Sequence, residues 1–128
     1  MLAPQPDSRS TVDVNPARHA SAEADRFRDT VQRWTFESGR LAGVACDYAF
    51  HVDGSLDWRM VAGAQRGLGG RAREFRVRPA GPWLFFVAFA PQPGVVLAAA
   101  VDFRARRVVG LEFGGGDPQP FAATMRTL

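Results

Sequence analysis

A mainly β chain, folding as a small closed antiparallel barrel of seven or eight strands with one short N-terminal helix, is predicted by three features. Apolar and polar residues alternate with a period of two in short runs between residues 31 and 113. Polar or glycine-containing turns separate the runs at short, even spacing. Five consecutive runs put large side chains on one face, which suits a sheet closed around its own side chains or one small ligand.

The 128 residues suit one domain, and 46% hydrophobic with 23% charged residues is the balance of a folded globular protein. All 16 basic residues are Arg, and Lys and Ile are absent, the skew of a GC-rich coding sequence rather than a demand for guanidinium chemistry. The net charge is only +3, and no aromatic-basic motif accompanies it, so a nucleic-acid partner is not expected. Cys46 is the single cysteine, which excludes an internal disulfide and fits a reduced, cytoplasmic setting. Residues 1–10 have no secretory apolar core, and no stretch reaches the roughly eighteen apolar residues of a spanning helix, so no membrane partner is expected.

Residues 1–14, rich in Pro, Ser and Asp, read as a flexible arm. Asn15-Pro16 supplies an N-cap followed by proline at the first helical position, and Ala20, Ala24, Phe27 and Val31 share one helical face, which predicts a helix over 15–30. The barrel is expected over 31–113. Its first strand carries Trp34 and Phe36 on one face. The second runs from Val44 to Val52 with Val44, Cys46, Tyr48, Phe50 and Val52 together, and Asp53-Gly54 closes a hairpin onto a third with Leu56, Trp58 and Met60. A glycine-rich loop, 63–70, precedes a fourth strand with Phe75 and Val77, which Pro79 is expected to stop. Residues 83–90 and 95–101 are apolar on both faces, so their outer side needs a cover, either the helix or a second subunit. Residues 108–113 give a further strand. Residues 114–128 form a tail or a closing strand.

RWTFESG (33–39), LDWRM (56–60), FRVRP (75–79), LFFVAF (84–89) and VDFRARRVVGLEF (101–113) together resemble the MoaF-like branch of the calycin superfamily and, more distantly, bacterial phenolic acid decarboxylases. The resemblance implies a lipocalin-like barrel with a ligand cavity, commonly a homodimer. In the decarboxylases, tyrosines on the first strand, an arginine after the third and a glutamate act on the substrate. Here the tyrosine positions fall on Trp34 and Phe36 and the glutamate position on Pro91, and only Arg71 matches the arginine. Neither ring has a hydroxyl and proline is no acid or base, so that decarboxylation is not expected.

With Trp34 and Phe36 inward, alternation turns Cys46, Tyr48, Phe50, Trp58, Met60, Phe75, Phe85, Val87 and Phe89 inward as well, a lining for flat, apolar ligands unless the side chains meet and fill the lumen. Tyr48 and Arg71 are the candidate catalytic groups, Tyr48 because it is the only tyrosine, Arg71 by the resemblance. Cys46 has no charged neighbour on its own face to activate it and reads as a structural thiol. Asp47 and His51 lie about 13 Å apart along a strand, too far to pair with each other. Arg59, Arg76 and Arg78 are expected to form a solvated stripe on the outer wall and to pair with Asp57 and Glu74 across strands. Two histidines and one cysteine without ligand spacing predict no metal, and no cofactor is implied. The function predicted is binding of an apolar or aromatic small molecule, such as a biosynthetic intermediate. The alternatives are a cofactor-free isomerase, cyclase or lyase working by conformer positioning in the same cavity, and a dimeric interaction module without a ligand.

Overall fold

A computed structural model describes residues 26–128. The arm expected over 1–14 and most of the helix expected over 15–30 therefore lie outside the described residues. Arg26 to Asp29 form a turn instead of the end of a helix, and Thr30 already opens the first strand. Asp29 has φ 61°, which no helical residue adopts.

Nine strands follow: β1 (Thr30–Phe36), β2 (Ala45–Phe50), β3 (Leu56–Ala62), β4 (Gly69–Ala72), β5 (Phe75–Gly81), β6 (Leu84–Gln92), β7 (Val95–Asp102), β8 (Arg107–Phe113) and β9 (Gln119–Thr127). They make one sheet in the order β4-β3-β2-β1-β9-β8-β7-β6-β5, antiparallel throughout. Since β9 returns to β1, the sheet curls into a nearly closed barrel, and among the described residues its two edges meet at an unpaired junction. There β4 lies against β6, the Trp58 indole Nε1 donates to the Pro91 carbonyl at 2.9 Å, and Phe75 N donates to the Gly54 carbonyl at 2.8 Å.

The count of seven or eight strands is thus corrected to nine, and the barrel spans 30–127 rather than 31–113. The added strand is β4, hidden in the glycine-rich loop. Glycine has no β preference, but a ladder needs only backbone groups, and Gly70 lies flat under the Trp58 ring where a Cβ would come within 2.9 Å of Nε1. Residues 119–127 form the long closing strand, with Phe121, Ala123 and Met125 buried. Two smaller expectations also fail. Val52 is 67% exposed in the turn after β2, and β5 continues past Pro79 to Gly81, which an edge strand permits because its outer N–H groups need no partner.

The inward residues alternate as period two requires, and their rings meet. Trp34 and Tyr48 centroids are 4.6 Å apart, Tyr48 and Phe89 5.4 Å, Phe50 and Phe75 5.0 Å. Phe27 plugs one end, fully buried, 4.6 Å from Phe50 and 5.6 Å from Phe85. Buried among these rings is one amide that apolar patterning passes over. Gln32 Oε1 accepts from the Trp34 indole at 3.0 Å, Gln32 Nε2 donates to Thr30 Oγ1 at 3.0 Å, and Thr30 donates to the Phe27 carbonyl at 2.6 Å. The chain of bonds satisfies every polar atom it buries and ties the plug to the core.

Candidate functional site

Aromatic packing fills the lumen from the Phe27 end upward and stops short of the other rim. Connections β1–β2, β3–β4, β6–β7 and β8–β9 all emerge at that rim, and below them remains a pocket of about 110 Å³. Its floor and walls are Tyr48 from β2, Trp58 and Met60 from β3, and Leu97 from β7. Leu41, Leu68, Gln65, Pro91 and Gln92 ring the opening, with Arg40 and Glu112 across it. An outer depression of about 430 Å³ shares Arg40, Gln92 and Glu112 with the pocket and widens toward Val95, Gly114 and Gln119.

The Arg40–Glu112 pair is the main polar feature. Arg40 Nε donates to both carboxylate oxygens at 3.0 Å and Nη2 to Oε2 at 2.5 Å. Glu112 is almost fully buried and the Arg40 side chain about half exposed, at 9% and 49%. The hydrogen bond to Glu112 raises the Arg40 pKa above its ordinary value, so the guanidinium stays charged. Alternation places Glu112 here, because Val108, Gly110 and Glu112 share the inward face of β8 and the last of them reaches the rim. Such a charge is tolerated only beside a partner.

Beneath this pair, Tyr48 and Cys46 interact side chain to side chain. Burial raises the Cys46 thiol to about 11 and holds the Tyr48 hydroxyl well above 10. Both are protonated at neutral pH. The thiol is no nucleophile there, and the phenol can orient a ligand but is no base.

Of the residues the sequence assigned to binding, Tyr48, Trp58 and Met60 line this pocket. Trp34, Phe36, Cys46, Phe50, Phe75, Phe85, Val87 and Phe89 are buried in the packed core behind it. Arg71 does not join Tyr48. It lies on the outer wall, Nη2 to Ser55 Oγ at 3.1 Å and Nη1 to Asp57 at 3.4 Å, beside the open groove along β4. Asp57 also takes His51 Nε2 at 2.8 Å, and Arg33 pairs with Asp47 at 2.6 Å. The expected cross-strand ladder does not form: Asp57 serves His51 and Arg71, and Arg76 meets Glu74, at 3.1 Å, two positions away in the chain rather than across the sheet. Arg40, Glu112, Gln32, Leu68 and Leu97 were missed by the sequence reading. Gln32 shares the parity of Trp34 and Phe36, but on β8 the apolar set Val109, Leu111 and Phe113 points Glu112 outward, and nothing local marks Arg40. Among the described residues, no cluster of three or more His, Cys, Asp or Glu could hold a metal ion.

No protein-family model and no curated protein matches this chain. Among solved structures the barrel is similar to one described as "a putative beta-lactamase from Burkholderia vietnamiensis", with a TM-score of 0.68 and 14% sequence identity over 80% of this chain and 95% of that chain. At that identity the likeness shows the fold alone, a barrel, and does not distinguish the MoaF-like branch of the calycins from other barrels.

Proposed function

We propose that this chain is a calycin-type barrel of the MoaF-like kind that binds a small, largely apolar molecule, such as a biosynthetic intermediate, at the barrel mouth. The supporting observation is the unfilled space above Tyr48, walled by Trp58, Met60, Leu68 and Leu97 in a barrel otherwise packed with rings. Apolar walls with a few convergent polar groups are the usual form of a small-molecule site. Binding of this kind needs no metal or cofactor. The lone buried Cys46 suits a reduced, cytoplasmic setting, and among the described residues no helix is long and apolar enough to cross a membrane.

Ligand-observed NMR with toluene as the probe, alongside native mass spectrometry of freshly purified protein, tests this reading. Toluene should bind the native protein and be excluded from Leu97→Trp, which fills the pocket. Equal binding to both, or none to either, would overturn it.

A second reading, self-association, is favoured by the outer wall. Phe86, Ala100 and Val109 lie side by side across β6, β7 and β8, with Ala98 and Leu111 in the next row. Phe86 is 55% and Val109 52% exposed, and the patch is bordered by Arg76 and Arg78 on β5 and by Asp102 and Arg107 at the far ends of β7 and β8. Large side chains beside alanine hollows are self-complementary, so a second copy packed sheet on sheet fits this face.

A further inference from the structure

We propose that the mouth pocket selects an uncharged molecule of about one ring that carries a hydrogen-bond acceptor, seated with its apolar body against Tyr48, Trp58 and Leu97 and its acceptor on Arg40. This rests on the binding reading above and names the ligand class for that site.

Size sets the first limit. A cavity of roughly 150 Å³ accommodates benzene. The 110 Å³ here is smaller, so it admits at most one six-membered ring, and any substituent must point out toward the depression beyond Arg40 and Glu112. Charge sets the second limit. Arg40 faces Glu112 with Nε and Nη2, which leaves Nη1 and the outer edge of the guanidinium for another acceptor. A neutral carbonyl or amide oxygen can take those donors without disturbing the pair.

A carboxylate fits less well. It would meet a guanidinium whose charge Glu112 already balances, would stand near the Glu112 oxygens, and would lose its own hydration. A cation would meet Arg40 directly, and its natural partner, Glu112, is occupied by the two guanidinium nitrogens. No other charged side chain lines the pocket among the described residues. The ion pair thus acts as a neutral, donor-bearing rim, and specificity comes from which edge of Arg40 remains free.

Four near-isosteric probes separate the possibilities: toluene, benzamide, benzoate and benzamidinium, titrated into the native protein by ligand-observed NMR or calorimetry. Benzamide should bind tightest, by about tenfold over benzoate and benzamidinium, the expected weight of one charge-assisted hydrogen bond. Arg40→Met leaves Glu112 without its partner, so benzamidinium should gain about tenfold relative to benzamide. Glu112→Gln releases the Arg40 charge, so benzoate should gain about tenfold relative to benzamide. This second variant carries the test alone if Arg40→Met does not fold. Benzoate or benzamidinium binding the native protein as well as benzamide, or a Glu112→Gln protein with unchanged preference, would overturn the neutral-ligand assignment while the binding reading stands. Loss of all four probes, toluene included, would overturn the binding reading itself.

Discussion

Arg40 and Glu112, separated by 72 positions in the chain, meet across the barrel mouth with Nη2 and Oε2 2.5 Å apart. The loop after β1 is thereby fastened to the rim end of β8, and the one carboxylate turned into the barrel among the described residues is neutralised where water is scarce. The two ends of this bond are unequal. Removing Arg40 strands a buried carboxylate, whereas removing the Glu112 charge leaves a guanidinium that can turn to solvent. Arg40→Met should therefore lower stability by about 1–3 kcal/mol and Glu112→Gln by less, because Arg40 is half exposed and the penalty falls short of that for a fully buried pair. Denaturant midpoints decide the order, and the reverse ranking would show that Glu112 is better hydrated than its position implies.

Gln32 offers a sharper test of buried polar satisfaction. Gln32→Leu is close in volume yet removes the acceptor of the Trp34 indole. A cost of about 1–3 kcal/mol is expected, with an altered near-ultraviolet circular dichroism spectrum as Trp34 shifts. A substitution that proves neutral would mean the indole finds another acceptor.

Gly110 faces inward on β8 beneath the Phe121 ring. A Cβ there would come within 2.3 Å of the Ala98 carbonyl and 2.9 Å of Phe121 Cζ. The nearer obstacle is backbone and cannot rotate away, so Gly110→Ala should destabilise by about 1–3 kcal/mol or more. Phe121→Leu frees only the ring contact, so adding it should fail to rescue the alanine variant. Rescue in a double-mutant cycle would show instead that the ring is the limiting contact.

Cys46 makes the barrel sensitive to alkali. The unfolded thiol ionises near 9, the folded one near 11 because burial disfavours the thiolate. Above pH 9 the unfolded chain binds fewer protons than the native one, so stability falls with rising pH across that window and is undiminished below it. The loss should be smaller in Cys46→Ala, measured as the change in melting temperature between pH 8 and pH 10.5. Tyr48, raised in the same direction, adds to the fall at higher pH. Slow reaction of the native protein with a thiol reagent at pH 8, fast after unfolding, is the companion measurement.

The outer wall supplies the last expectation. Sedimentation should give a dimer for the native chain and a monomer for Val109→Arg, whose charge would be buried within the patch beside Ala100. A native monomer, or a dimer indifferent to Val109→Arg, would remove the self-association reading.

Alternation with a period of two determined from the sequence alone that Trp34, Cys46, Tyr48, Phe50, Phe75 and Phe89 face one interior, since strand parity is local and each run carries several large residues to register it. Gln32 shares the parity of Trp34 and Phe36 but its polarity argues for the surface, and on β8 the apolar set Val109, Leu111 and Phe113 points Glu112 outward; in each case only a buried polar partner reverses the argument. Gly69–Ala72 could not be read as a strand because its pairing with β3 depends on backbone and on the flat seat Gly70 gives Trp58. Whether rings brought to one lumen fill it or leave room is decided by volumes meeting across the barrel, and those volumes come from strands far apart in the chain. Local chemistry therefore determined what lines the interior. Only the tertiary structure decided that the free space sits at one rim and that Arg40, unmarked by any pattern around it, guards the opening with Glu112.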